Sequence, residues 1–242
     1  MNLLLSIIFW AFFVVSSCIL YLGAVIIRWV AAPFDPNRKI LQQYSCFWGS
    51  LYIWCNPFWS ACIKGLKNVD SKKTYVMVAN HQSMVDILLI FRTFLHFKWV
   101  SKKSLFKAPL LGWNMVLNGY IPIERGDATS RDRCLALCQK WLEKGSSIFF
   151  FPEGTRSPDG TMKSFKTGAF RLAIQSQMDI LPMVIRGSRN ALPKHSLKLH
   201  EKACMTLEVL PPISIKDFDP TKLEDESKRL AKVAFTNIQT SI

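Results

Sequence analysis

The chain has little acid, no Cys-x-x-Cys pair and no internal repeat, and each absence closes off a class of protein. Against 31 lysines and arginines stand only 17 aspartates and glutamates, a formal net charge of +14. Its seven cysteines (18, 46, 55, 62, 134, 138 and 204) form no disulfide framework and no zinc-ligand spacing. An odd, scattered set reads as reduced packing residues facing a cytosol. Cys134 and Cys138 fall on one face of a predicted helix, but without a nearby histidine they fit a core better than a metal site. No metal-ligand set is found, and no low-complexity segment or nucleic-acid-binding motif, so the basic balance points to a lipid surface or phosphorylated small molecules.

Charge is missing altogether from Leu3 to Ile27, 25 residues rich in Leu, Ile, Val and Phe. About 20 apolar residues cross the hydrocarbon core of a bilayer. Only Met1 and Asn2 precede the run, so the basic n-region of a signal peptide is lacking and a retained anchor is expected. A second uncharged stretch, Tyr44 to Ile63, carries Tyr44, Trp48, Tyr52, Trp54 and Trp59 and is interrupted by Gly49 and Asn56-Pro57. Basic residues flank it on both sides, and aromatic amphiphiles favour headgroup depth, so it is expected to lie in the interface or re-enter, with a second span as the alternative. Residues 1–63 are therefore expected as anchor and interfacial segment, with Asp35–Gln43 as a linker, and 64–242 as a separate domain. The first part carries +2 of the net charge and the second +12.

Beyond Lys64, strand-like and helix-like segments alternate. Strands are predicted at Tyr75–Ala79, Lys98–Ser101, Ile121–Ile123, Ser147–Phe151, Ile180–Ile185 and Ala203–Leu210. Helices are predicted at Ser83–Phe94, Arg131–Lys144, Gly168–Gln177 and Thr221–Thr240. This alternation specifies an α/β fold, a mixed, mostly parallel sheet flanked by helices. In such sheets, sites gather where strand ends open into loops.

Two polar clusters occupy such places. Asn80-His81-Gln82-Ser83-Met84-Val85-Asp86 follows the first strand. A histidine outside a strand and a carboxylate in the next helical turn can meet, the carboxylate fixing the tautomer while the other ring nitrogen takes a proton from a hydroxyl. That is the base half of a hydrolase triad, with the substrate's alcohol in place of serine. A plain capping box, Ser83-x-x-Asp86, explains the aspartate equally well. Phe151-Pro152-Glu153-Gly154-Thr155-Arg156-Ser157 follows another strand. Pro152 and Gly154 impose a tight turn, and Arg156 offers a planar fork suited to phosphate, or else a solvated surface pair with Glu153.

These two blocks, with Gly119-Tyr120-Ile121-Pro122-Ile123-Glu124-Arg125 between them and Leu181-Pro182-Met183-Val184 after them, occur in that order. Across residues 64–215 the chain resembles the glycerolipid acyltransferase family, and within it the lysophosphatidic acid acyltransferases. Glu124 stands where the family commonly has aspartate, and Pro122 where it has an apolar residue. The resemblance implies that His81 is the general base and Asp86 its orienting partner. It also implies that Lys102, Arg125, Glu153, Gly154, Thr155 and Arg156 contact the acceptor, Glu153 touching glycerol or bracing Arg156. The acceptor would be a lysophosphatidate, or another lysolipid such as a lysophospholipid or lyso-ornithine lipid. The donor would be acyl-CoA or acyl-acyl carrier protein as co-substrate, with no bound cofactor. A basic surface of Lys98, Lys102, Lys103, Lys107, Lys194, Lys198 and Lys202 suits either donor. An apolar tunnel open to the bilayer, lined partly by the helix after Asp86, is expected, with the catalytic domain on the cytoplasmic side. A non-catalytic, basic membrane-surface adaptor is the alternative outside enzymes.

Overall fold

The computed structural model describes residues 3–156, 161–192 and 202–242. Seven strands form one sheet in the order β1-β7-β6-β2-β5-β3-β4. They are β1 (Trp59–Lys64), β2 (Val76–Ala79), β3 (Phe97–Lys102), β4 (Ile121–Ile123), β5 (Ser147–Phe150), β6 (Ile180–Arg186) and β7 (Ala203–Val209). The five strands from β6 to β4 are parallel; β7 is antiparallel to β6, and β1 is parallel to β7. The expected mixed, mostly parallel sheet is what forms.

Side-chain alternation along the central strands builds two cores. Met77, Ala79, Trp99, Phe149, Leu181 and Met183 face one side. Val76, Val78, Ile148, Ile180 and Val184 face the other, where they meet α5 (Ala128–Glu143), α6 (Gly168–Gln175) and α8 (Leu223–Thr240). The cysteine pair at 134 and 138 lies buried in this second core as packing. Successive residues of a strand point to opposite faces, so a strand covered on both sides is apolar throughout. The four β2 residues are accordingly all buried.

On the first face lie α2 (Lys39–Trp54), α3 (Val85–Phe91), α4 (Leu111–Asn118), the short α7 (Ser188–Ala191) and the long α1 (Leu3–Val30). At 28 residues, α1 is about 42 Å long at 1.5 Å per residue, enough to cross a bilayer. It is the one helix among the described residues with that length and apolarity. It does not hang free. Ser17 Oγ and Tyr52 Oη of α2 lie 2.9 Å apart, Trp48 Nε1 donates to that same phenol at 2.7 Å, and Tyr44 Oη donates to the Leu20 carbonyl at 3.0 Å.

Two expectations about the N-terminal quarter are corrected here. The stretch 44–63 is not one segment: its first part is α2 and its last part is β1, paired in register with β7. Trp48, Tyr52 and Trp59 are buried in protein, and only Trp54 of the five aromatics is exposed. The boundary at 63/64 thus falls inside β1. Nor is Asp35–Gln43 a linker. Asp35 accepts from the Lys39 and Ile40 amides at 2.8 Å each, which caps α2, and Arg38 donates to the Leu117 carbonyl at the end of α4. The helix α4 itself was hidden by its lysine- and proline-punctuated approach.

Candidate active site

The carboxyl ends of β2, β5, β3 and β4 lie in a row along one edge of the sheet. His81 stands two residues beyond the end of β2. The Asn80 amide locks this exit, donating to the Ile185 carbonyl and accepting from the Ile185 amide at 2.8 Å each, so β2 leaves the sheet tied to β6. His81 Nδ1 lies 2.8 Å from Asp86 Oδ2. The Gln82 and Ser83 amides donate to the same oxygen at 2.7 and 2.9 Å. A carboxylate against Nδ1 requires the proton there, which leaves Nε2 with its lone pair. Asp86 is fully buried, and Oδ2 takes all three of these contacts, while Oδ1 has no hydrogen-bond partner among the described residues.

One half of the capping box and the His81–Asp86 pair are one arrangement. Ser83 N–H donates to Asp86, as a box requires, while Ser83 Oγ donates to the Leu192 carbonyl at 2.8 Å instead of capping the Asp86 amide. The cap pins the carboxylate; the carboxylate pins the histidine.

The loop after β5 supplies the opposite wall. Phe151 stacks on His81 with ring centroids 3.9 Å apart and planes 13° from parallel. The Gly154 amide closes a turn onto the Phe151 carbonyl at 3.0 Å, and Gly154 holds φ of +73°, a conformation that favours glycine. Glu153 is 4% exposed; its Oε1 accepts from the His81 amide at 2.7 Å and its Oε2 from the Lys163 amide at 3.0 Å. Burial pushes its carboxyl above the ordinary glutamate value, against the two amides, which pull it down. Both oxygens hold main chain, one of them the backbone of the histidine itself.

Below this edge, on the first face, opens a cavity of about 600 Å³. Val85, Ile87, Leu88 and Phe91 of α3 line it, as expected for the helix after Asp86, and Trp99 of β3 adds to the wall. Phe9, Trp10 and Phe13 of α1 close it from the N-terminal side, and Arg156 also lines it. The volume falls in the range of pockets that take small-molecule ligands.

A family model described as Acyltransferase matches residues 60–186. The chain belongs to this acyltransferase family. It is 40% identical over 165 residues to a chloroplastic 1-acyl-sn-glycerol-3-phosphate acyltransferase of Arabidopsis thaliana, covering 67% of this chain and 46% of that protein. A 1-acyl-sn-glycerol-3-phosphate acyltransferase of Chlamydomonas reinhardtii is 34% identical over 213 residues, covering 86% and 63%. The chain thus spans between about half and two thirds of these relatives' length. The crystal structure of the 1-acyl-sn-glycerophosphate (LPA) acyltransferase PlsC from Thermotoga maritima superposes with a TM-score of 0.65, covering 93% of this chain and 97% of that one. At 22% identity that likeness establishes the fold.

Within the acyltransferase frame, His81, Asp86, Glu153 and the Gly154 turn come together, and Arg156 reaches the cavity. Thr155 lies half-buried in the same loop. Lys102 and Arg125 are exposed at the ends of β3 and β4, two and three strands from β2 on the same edge. Beside them Lys103 pairs with the unusual Glu124 at 3.0 Å. Ser157, Lys194 and Lys198 lie outside the described residues. Lys98 does not belong to the basic surface: it is wholly buried, its Nζ donating to the Asn37 and Asn118 carbonyls at 2.8 and 3.0 Å, 4.6 Å above the Trp141 ring. Among the described residues no group of three or more His, Cys, Asp or Glu is placed to hold a metal ion. The site residue that sequence reasoning left without a role is Phe151, although its parity with Phe149 put it on the histidine's side of the sheet.

Proposed function

We propose that the chain is a membrane-bound 1-acylglycerol-3-phosphate O-acyltransferase that transfers an acyl group from an acyl thioester to the sn-2 hydroxyl of a lysophosphatidate, yielding phosphatidate. One observation carries the reading: a carboxylate-oriented imidazole, with Nε2 left as base, stands at the edge of an apolar cavity that an arginine also lines. The hydroxyl proton passes to His81 Nε2 as the oxygen attacks the thioester carbonyl. The tetrahedral intermediate collapses by expelling the thiolate, which recovers the proton from the imidazolium, and Asp86 stabilises that cation throughout. Arg156, with Lys102 and Arg125 along the edge, suits the acceptor phosphate. Glu153 fixes the His81 backbone, so the base is held at both its main chain and its ring.

Membrane residence fits the substrates. Extracting an acyl chain into water costs about 0.8 kcal/mol per methylene. A helix long enough to span, with most of its surface uncovered by protein, keeps the site beside the bilayer. The reading places the catalytic sheet on the cytoplasmic side, where thioester donors occur. The deciding experiment is a panel of lysolipid acceptors, each offered with acyl-CoA and with acyl-acyl carrier protein, to the protein in vesicles. Phosphatidate from lysophosphatidate as the dominant product supports the reading. Preference for lyso-ornithine lipid or a lysophospholipid moves the protein within its family, and no transfer to any acceptor overturns it in favour of an adaptor.

A further inference from the structure

Helix α4 is built inside out. Its buried positions include Asn114 and Asn118, whose amides both donate to Ser45 Oγ of α2, at 3.2 and 3.0 Å. Its outward positions are Leu111, Trp113 and Val116, the last two 46% and 58% exposed. A helix bathed in water shows the reverse pattern, and a contiguous apolar surface marks contact with something apolar. The turn leading into α4 adds Leu105, exposed between Lys103 and Lys107. Apolar side chains interleaved with lysines suit an interface of acyl chains and anionic headgroups. The patch is also continuous with the spanning-length helix: α4 packs on α1, with the Trp113 and Tyr21 rings 5.6 Å apart.

The same segment also forms cavity wall, through Ala108 and Met115 and through Leu105 and Leu111, which are exposed at its mouth. We propose that residues 105–116 are a second membrane-inserting element, seated at headgroup depth in an anionic bilayer, and that they form the rim over which acyl chains pass from lipid into the cavity. The catalytic sheet is then docked onto the bilayer rather than tethered to it by α1. The second clause, on the passage of acyl chains, rests on the acyltransfer reading above; the first does not.

A benzophenone amino acid placed at Val116 of the full chain, in vesicles of phosphatidylcholine and phosphatidylglycerol, tests the seating without any need for activity. Irradiation is expected to give phospholipid adducts at 116 and few at an identical probe at Lys140, exposed on α5. Covalent dimers would assign the patch to a second copy, and equal lipid labelling at both positions would remove its distinction; either overturns the proposal. The rim is tested by Trp113→Ser with Val116→Ser, neither of which lines the cavity. The interfacial KM for a long-chain lysophosphatidate is expected to rise about tenfold with kcat held, while a short-chain, monomeric acceptor is used as before. An unchanged interfacial KM, or an equal loss on the short-chain acceptor, overturns the rim.

Discussion

The two faces of the sheet are covered by helices of opposite design. On one, α5, α6 and α8 bury apolar residues such as Leu142, Phe170 and Leu230 and present Lys140, Arg171 and Lys232 outward. On the other, α1, α2 and α4 bury Ser17, Gln42, Ser45, Asn114 and Asn118 and present Ile19, Phe47, Trp54, Trp113 and Val116 outward. The first pattern is that of a helix packing its apolar stripe away from water. The second, polar side chains between helices whose outer surfaces are apolar, is the pattern that membrane bundles show. One chain thus carries two patterns of burial.

The same substitution on each half should break the comparison if it is wrong. Val15→Lys places a cation midway along the exposed surface of the spanning-length α1 and is expected to destabilise the vesicle-reconstituted protein by about 2–4 kcal/mol. Val233→Lys, on the exposed face of α8, should change stability by less than about 0.5 kcal/mol. Thermal unfolding of both proteins in vesicles checks the pair; equal shifts would mean that both halves face water.

A smaller effect is expected at the seam. Lys98 ties the Asn37 carbonyl, between α1 and α2, and the last carbonyl of α4 to β3 of the sheet. Burial, with Arg38 nearby, lowers its pKa to about 7 against a partial rise from Asp35. Between that value and the ordinary lysine range the unfolded chain binds the additional proton, so stability rises with pH from about 7 upward. Lys98→Met should flatten that rise, read as melting temperature against pH from 6.5 to 9.5. An identical slope in the variant would remove Lys98 from the seam.

How much of this was legible in sequence follows the same division. Strands covered on both faces read as short apolar runs, so β2, β5 and β6 are placed within a residue or two. Helix α5 and helix α8 show through their amphipathic period. Across α1, α2 and α4, periodicity misleads because polar residues are buried and apolar ones exposed. Trp48 and Tyr52 look like headgroup aromatics, yet they are core residues holding α1. The strand β1 was invisible beside Trp54 and Pro57, since its pairing with β7 is a contact across some 140 positions. Motif spacing marked His81 and Asp86 correctly as a pair. The bonds of Glu153 to the His81 and Lys163 amides were beyond it, because a carboxylate bound to backbone amides leaves no signature in side-chain types.

The central claim is that His81 is the base for acyl transfer to a lysophosphatidate at the membrane. Single-turnover formation of labelled phosphatidate in vesicles, wild type against His81→Ala, tests it most directly. The expected result is a loss of about 10²- to 10⁴-fold in rate, with vesicle association and melting temperature unchanged. Phosphatidate formed by His81→Ala at the wild-type rate would contradict the account.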